Sequence, residues 1–127
     1  VGYIQTSGSA TIYNTSSDYR LKENQVLISD GITRLKQLKP YRFNFKKDPS
    51  TTLDGFFAHE VESVVPQAVS GTKDQVATKD EGERKIGDPI FQGMDYGRIT
   101  PLLTAALQEA ITEIETLKTK VAALEAG

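Results

Sequence analysis

Residues 100–127 have the sequence TPLLTAALQEAITEIETLKTKVAALEAG, which contains the longest uninterrupted helical pattern in the chain. Thr100 is a favourable N-cap residue, and Pro101 follows at a position where its missing N–H costs nothing. No other Pro or Gly occurs before Gly127. We therefore expect a helix of about 25 residues, roughly 37 Å long.

Apolar residues on this helix alternate in steps of three and four, the spacing of heptad a and d positions in a coiled coil. Ile and Val occupy a positions and Leu or Ala d positions, a choice that leans toward two strands in parallel coils. The helix thus predicts a coiled coil, or an ordinary oligomerisation stalk, without fixing the number of strands. The apolar positions, called the seam below, are Leu107, Ala110, Ile114, Leu117, Val121 and Leu124.

Shorter elements are predicted upstream of this helix. Between Asp30 and Leu38 apolar residues recur every three positions, which indicates a short helix with Asp30 as N-cap and Pro40 as its limit. Residues 41–45 alternate aromatic and polar side chains, a pattern typical of a strand with one buried face. We expect residues 48–50 (Asp-Pro-Ser) to end that strand.

The middle of the chain predicts further small elements. Residues 55–58 favour a second short strand, and residues 61–65 favour a helical turn or two that Pro66 ends. Residues 70–87 are polar and mixed in charge, which indicates an exposed hairpin or protruding loop. Residues 90–94 suggest a strand returning to the body. The fold class expected is therefore α+β, with short strands and small helices followed by one long helix.

The beginning of the chain differs in composition from the rest. Residues 1–16 contain no charge and are rich in Ser, Thr, Gly and Tyr, with a short strand indicated over residues 10–13. Charged residues arrive together from Asp18 onward, so we expect a boundary there. The chain also begins without Met, and we expect it to be a piece of a longer polypeptide.

The totals exclude several classes of function. Fifteen basic against seventeen acidic residues give a formal net charge of -2, so no general attraction to nucleic acid or to anionic membranes is expected. No stretch approaches the roughly 20 apolar residues that span a bilayer. Cysteine is absent, which removes disulfides, thiolate catalysis and Cys-based zinc sites. We expect no cofactor and no metal, and we interpret the single histidine, His59, as a surface or structural residue.

A motif in residues 16–24, Ser-Ser-Asp-Tyr-Arg-Leu-Lys-Glu-Asn, carries the chemical interpretation. It resembles the cleavage motif of the intramolecular chaperone domains found at the C-termini of phage endosialidases, tail spikes, tail fibres and neck appendages. The pattern Ser-Asp-x-Arg-x-Lys of that family is filled by Ser17, Asp18, Arg20 and Lys22, with Asn24 following. Downstream motifs agree in order, so the resemblance extends over residues 17 to about 124.

The resemblance implies a self-cleaving serine peptidase with a Ser–Lys dyad. Ser17 would attack the carbonyl carbon of Ser16, and Lys22 would take the proton of the Ser17 hydroxyl. In the family such a domain trimerises, folds the N-terminal part of its own polypeptide and releases itself by cutting between Ser16 and Ser17. Residues 1–16 would then end the client, residues 17–127 would form the chaperone and protease, and residues 100–126 would be its trimerising helix.

Physical chemistry sets two conditions on this dyad. A serine hydroxyl needs a base, and Lys22 can be that base only when uncharged, which burial or a neighbouring cation such as Arg20 would favour. Positions five apart lie about 140° apart on a helix and on opposite faces of a strand. A tight turn or another subunit must therefore bring Ser17 and Lys22 together, and backbone N–H groups near the cut are expected to stabilise the oxyanion.

The resemblance also implies a setting: a virion precursor, a homotrimer, assembled in the cytoplasm of a host bacterium and trimmed there. Two alternatives remain open at this point. One is a non-cleaving trimeric fibre tip that binds a receptor. The other is the same cleavage domain within a membrane-tethered transcription factor.

Overall fold

A computed structural model describes residues 2–127 of the chain, so Val1 of the expected client segment lies outside the described residues. Within that range the strands form three separate two-stranded antiparallel sheets, and the last element is a long helix. The expected α+β class is consistent with this arrangement. The elements are β1 (Tyr3–Thr6), β2 (Thr11–Asn14), α1 (Gly31–Leu35), β3 (Tyr41–Phe45), β4 (Asp48–Gly55), α2 (Ala58–Glu62), β5 (Val69–Ser70), β6 (Gly93–Met94) and α3 (Thr100–Ala126), with 3₁₀ turns at Tyr19–Leu21, Pro66–Ala68 and Tyr96–Ile99.

The first hairpin pairs β1 with β2, from Tyr3 opposite Asn14 to Thr6 opposite Thr11. A strand was expected at residues 10–13, and β2 lies there with a shift of one residue. Its partner β1 was not expected. Nearly all side chains of this hairpin are exposed, so nothing within the described chain covers either face.

The second hairpin, β3–β4, corrects two expectations. Residues 48–50 begin β4 instead of ending β3, and Gly55 ends β4 instead of starting a strand. Pro49 is tolerated because a two-stranded sheet consists only of edges, where a missing N–H need not break a ladder bond. A buried face was also expected, yet Phe45 is 62% exposed and only Phe43 is half-buried. The end of the hairpin near Gly55 packs against Tyr96, whereas Phe45 lies at the other end and stays exposed.

The hydrophobic core lies between α2, the turn that follows it and the start of α3. It consists of six buried apolar side chains, against which Leu38, Phe56, Val69 and Met94 pack in part. The helical turn expected over residues 61–65 lies three residues earlier, as α2, and Pro66 opens the next 3₁₀ turn. The six core residues are Val61, Val64, Val65, Ala68, Ile99 and Leu102.

Residues 70–87 form the exposed hairpin that the sequence indicates. Isolated bridges join Val76 to Pro89 and Glu81 to Arg84. Asp80 Oδ1 accepts a hydrogen bond from Ile86 N at 3.0 Å, which closes the tip. The strand expected over residues 90–94 is shorter than predicted, because only Gly93 and Met94 pair with β5.

The long helix α3 confirms the strongest expectation from the sequence, although its start differs by one residue. Ile99 is the N-cap and Thr100 is already helical. The preceding 3₁₀ turn enters α3 directly and is itself capped by Asp95, whose Oδ1 accepts from Gly97 N at 3.0 Å. No helix in residues 2–127 combines the length and apolar character needed to cross a bilayer.

Candidate active site

The chain makes a tight turn between Ser17 and Lys22, and the side chain of Asp18 starts it. Asp18 Oδ1 accepts a hydrogen bond from Arg20 N at 2.9 Å, the usual way in which an Asp caps the first turn of a helix. Asp18 O then accepts from Leu21 N, and Tyr19 O accepts from Lys22 N, both at 3.1 Å. One 3₁₀ turn is thereby fixed by three short-range hydrogen bonds.

The side chain of Arg20 also stabilises this turn, by binding the carboxylate of Asp18. Its Nε donates to Asp18 Oδ1 at 2.9 Å and its Nη2 donates to Asp18 Oδ2 at 2.8 Å, the two-pronged geometry that arginine makes with carboxylates. The Arg20 side chain, then its backbone N–H, lowers the pKa of Asp18 below its usual value. Arg20 is thus paired with Asp18 and is not an unpaired cation beside Lys22.

The turn brings together the two residues of the expected dyad. Lys22 Nζ donates a hydrogen bond to Ser17 Oγ at 2.6 Å. The separation of five residues, which neither a helix nor a strand would bridge, is bridged here by a single 3₁₀ turn followed by an extended residue. Both side chains are exposed in the single chain.

Asn24 lies just beyond the dyad, where the backbone changes direction. Its φ is 54°, in the left-handed region that Asn adopts more readily than most residues. The backbone then continues without regular structure to α1. Asn24 therefore helps to set the direction in which the backbone leaves the site. Its side chain makes no contact with the Ser17 hydroxyl in the described residues.

Oxyanion donors were expected among the backbone N–H groups near the cut. The N–H groups of Arg20, Leu21 and Lys22 are already used inside the turn. They cannot also bind an oxyanion without opening it. In this conformation these three N–H groups are therefore not available as oxyanion donors.

His59 is exposed and stacks on Phe57, with ring centroids 6.0 Å apart. This agrees with the interpretation of His59 as a surface residue. Within the described residues no group of three or more His, Asp or Glu side chains could hold a metal ion.

The sequence missed one structural contact behind the site. Asp30 was expected to cap α1, but its side chain makes no capping hydrogen bond. The carboxylate of Glu109 on α3 does so instead: Gly31 N donates to Oε1 at 3.0 Å and Ile32 N donates to Oε2 at 2.7 Å. A contact between residues this far apart leaves no local signal in the sequence.

The seam of α3 lies open in the single chain. Ile114 is 51% and Leu117 58% exposed, although both are large apolar side chains. The face of α3 that adjoins the seam is buried over the first two turns, through Leu102, Ala105 and Ala106. The coiled coil and the trimer remain predictions, with this uncovered stripe as their candidate surface.

Ser17 and Lys22 are thus in hydrogen-bonding contact on a locally hydrogen-bonded turn, at the start of a small α+β body. Residues 17–70 match the family Peptidase_S74, described as chaperone of endosialidase. The match begins at Ser17 and ends with β5 at Ser70. The resemblance inferred from the motif is thereby confirmed. No protein with a curated description matches the chain.

Proposed function

We propose that the chain is a trimerising intramolecular chaperone that releases itself from its client by cutting between Ser16 and Ser17. The observation that carries the proposal is the 2.6 Å contact between Lys22 Nζ and Ser17 Oγ. It occurs at the first residue of the segment that matches the chaperone of endosialidase family. The client is the part of the polypeptide that precedes Ser17.

The reaction requires the donor and acceptor of the Lys22–Ser17 hydrogen bond to exchange roles. Lys22 now donates to the Ser17 oxygen; once the amine has lost one proton, the same two atoms can pass the hydroxyl proton to the nitrogen. Ser17 Oγ then attacks the carbonyl carbon of Ser16. The bond from that carbon to Ser17 N breaks, and the nitrogen takes up a proton, for which the protonated Lys22 is the nearest source.

Because Ser17 supplies both the nucleophile and the amide nitrogen of the bond, this attack alone does not separate the chains. It leaves an ester that joins the carbonyl of Ser16 to the side chain of Ser17. Water must hydrolyse this ester, giving a carboxylate on Ser16 and a free amine and hydroxyl on Ser17. The reaction uses each site once.

The exposure of the dyad explains why cleavage would follow assembly. A lysine amine in open solvent keeps its proton, whereas removal of water favours the uncharged form. In the single chain neither Ser17 nor Lys22 is covered. We infer that the packed client and neighbouring subunits exclude water from the turn and supply the oxyanion donors, so that only assembled chains are cut.

A chaperone of this kind would help fibrous trimers to assemble, which is a slow process. Interwound strands make contacts between distant positions and between chains, which form slowly and leave strand edges exposed meanwhile. Three chains joined at their ends meet at a high effective concentration. Cleavage then removes the part that favoured assembly and leaves a kinetically trapped product. In this proposal the reaction takes place on a virion precursor in the cytoplasm of the infected bacterium.

Intact mass of the full-length polypeptide tests the proposal. The wild-type chain is expected to give two products that part between Ser16 and Ser17, while Ser17→Ala and Lys22→Met remain whole. Lys36→Met, which changes another exposed lysine, is the matched control and is expected to be cut normally. Cleavage of assembled Lys22→Met, or a cut at another bond, would contradict the proposal.

The ester gives a second test. Hydroxylamine attacks esters much faster than amides, so it should intercept the intermediate in an assembled, newly folded trimer. The expected product is a hydroxamate at the carboxyl end of Ser16, seen by mass spectrometry of the client fragment. A carboxylate alone at every hydroxylamine concentration would argue against an ester.

A further inference from the structure

The carboxylate of Glu109 holds the first turn of α1 against α3. Both of its oxygens are used, one by Gly31 N at 3.0 Å and the other by Ile32 N at 2.7 Å. Hydrogen bonds to a charged acceptor are among the stronger ones, and a negative charge at the start of a helix is favourable as well. The contact is half-buried, so water competes with it only in part.

Close backbone packing accompanies this contact. A Cβ atom on Gly31 would lie 2.6 Å from Ala106 N and 2.9 Å from the carbonyl carbon of Ala105. No side chain fits there unless α1 moves away from α3. The hydrogen bonds from Glu109 and the close packing at Gly31 therefore both hold the first residue of α1 against α3.

Gly31 is the first residue after the Ser17–Lys22 dyad whose backbone is hydrogen-bonded to α3. Between Lys22 and Gly31 the backbone is irregular, and within the described residues no hydrogen bond joins residues 23–29 to another element. Val26 and Leu27, in the middle of this segment, are 89% and 93% exposed. Among the hydrogen bonds of the described residues that follow Lys22, those of Gly31 and Ile32 to Glu109 are thus the first that tie the chain to α3.

The attachment point also adjoins the seam. Glu109 lies between Leu107 and Ala110, the first two seam positions of α3. One side of this helical turn therefore holds α1, and the other presents apolar side chains to a neighbouring chain. We propose that Glu109 is a positioning residue for self-cleavage, which sets where the Ser17–Lys22 turn sits relative to the subunits that must cover it. This inference rests on the proposed function.

The expected consequence is a change in rate without loss of assembly. Displacing reacting groups by about 1 Å costs on the order of 100-fold in rate. A glutamine at position 109 keeps the size of the side chain but replaces one acceptor oxygen by an NH₂ group that faces a backbone N–H. We expect Glu109→Gln to slow cleavage of the full-length trimer about tenfold or more, with the trimer mass unchanged.

The experiment follows the fraction cleaved with time in wild type, Glu109→Gln and Glu115→Gln, with sedimentation to measure assembly. Glu115 is an exposed glutamate further along the same helix and serves as the matched control. Equal rates for wild type and Glu109→Gln would overturn the inference. So would loss of the trimer in Glu109→Gln, since the residue would then serve assembly itself. An uncut wild-type chain would instead contradict the proposed function.

A second pair of variants separates positioning from general stability. Glu109→Asp keeps the charge and should recover part of the lost rate, and the free energy of unfolding of each variant is measured beside its rate. A role limited to helix stability predicts that the rate follows the free energy of unfolding in every variant. Gly31→Ala should slow cleavage by pushing α1 from α3. Since both changes loosen one contact, the double variant Gly31→Ala/Glu109→Gln should be slowed by less than the product of the single effects. Full additivity would overturn the inference.

Discussion

At the scale of single residues, Asp18 organises the candidate site through one carboxylate. It caps the turn by accepting from Arg20 N, and it pairs with the Arg20 guanidinium. These bonds are stronger to the ionised carboxylate than to the protonated acid, which is why they lower the pKa of Asp18. The group therefore stabilises the turn at pH values above the usual 3.8, and this contribution is lost as the pH falls through the lowered pKa.

This predicts a measurable titration. The carboxyl carbon of Asp18, followed by NMR, should titrate with a midpoint below 3.8. In Arg20→Gln the midpoint should move up toward 3.8, because the guanidinium is the largest cause of the shift. A midpoint of 3.8 or more in the wild type, or no change in Arg20→Gln, would mean that the ion pair does not persist in solution.

At the scale of elements, the end of β4 packs tightly against the turn that precedes α3. A Cβ atom on Gly55 would lie 2.5 Å from the Tyr96 hydroxyl oxygen and 3.0 Å from Cε1 of Phe43. Forcing extra atoms into such contacts costs about 1 to 3 kcal/mol. Gly55→Ala should lower the free energy of unfolding by about that amount, measured by chemical denaturation.

The Tyr96 hydroxyl provides the control for this prediction. It accepts a long hydrogen bond of 3.4 Å from Phe56 N, so its removal alone should cost little. In a Tyr96→Phe background the nearest clashing atom is gone, and Gly55→Ala should then destabilise the domain less than it does in the wild type. An equal loss in both backgrounds would show that the clash is not with the hydroxyl.

The elements also show what the sequence can and cannot predict. The helix α3 could be predicted because its signals are local: Pro101 near the start, no later interruption and a regular apolar spacing. The strand β3 over residues 41–45 could be predicted too, but the start of β4 could not, since Pro49 is a strong breaker in most settings and is tolerated here only on an edge strand. The cap on α1 depends on Glu109, far along the chain, and not on the adjacent Asp30.

The candidate site, too, could be predicted from the sequence in part only. The motif from Ser17 to Asn24 names the candidate residues, and the structure brings two of them, Ser17 and Lys22, into contact. Spacing alone left open whether Ser17 and Lys22 meet within one chain, because the answer depends on the 3₁₀ turn that Asp18 caps. The exposure of the dyad could not be predicted at all, since it depends on which surfaces the rest of the assembly covers.

At the scale of the whole molecule, the exposed seam on α3 is the main candidate for trimer contacts. A charged residue within such an interface would lose its hydration without gaining a partner. Ile114→Asp should therefore dissociate the trimer, so that sedimentation gives the mass of one chain. Thr112→Asp, on the face of the helix turned away from the seam, should leave the mass at three chains. If Ile114→Asp remains a trimer, the interface between the chains does not include the seam.

Assembly raises the question of whether one dyad is shared between two chains. Lys22 reaches Ser17 of its own chain at 2.6 Å, and the turn between them is closed by local hydrogen bonds. We therefore expect each chain to carry its own complete dyad. Neighbouring chains would then supply cover and oxyanion donors, and not the base.

Co-expression of full-length Ser17→Ala chains with full-length Lys22→Met chains tests this expectation. Every subunit of a mixed trimer lacks either the nucleophile or the base, so no chain should be cut, as judged by intact mass after mixed trimers are isolated with two different tags. Trimers that mix wild-type with Ser17→Ala chains are the control, and their wild-type chains should be cut. Cleavage of Lys22→Met chains in the first mixture would mean that a neighbouring lysine can replace the missing one. The base would then come from another subunit, and the contact within the chain would describe only the unassembled state.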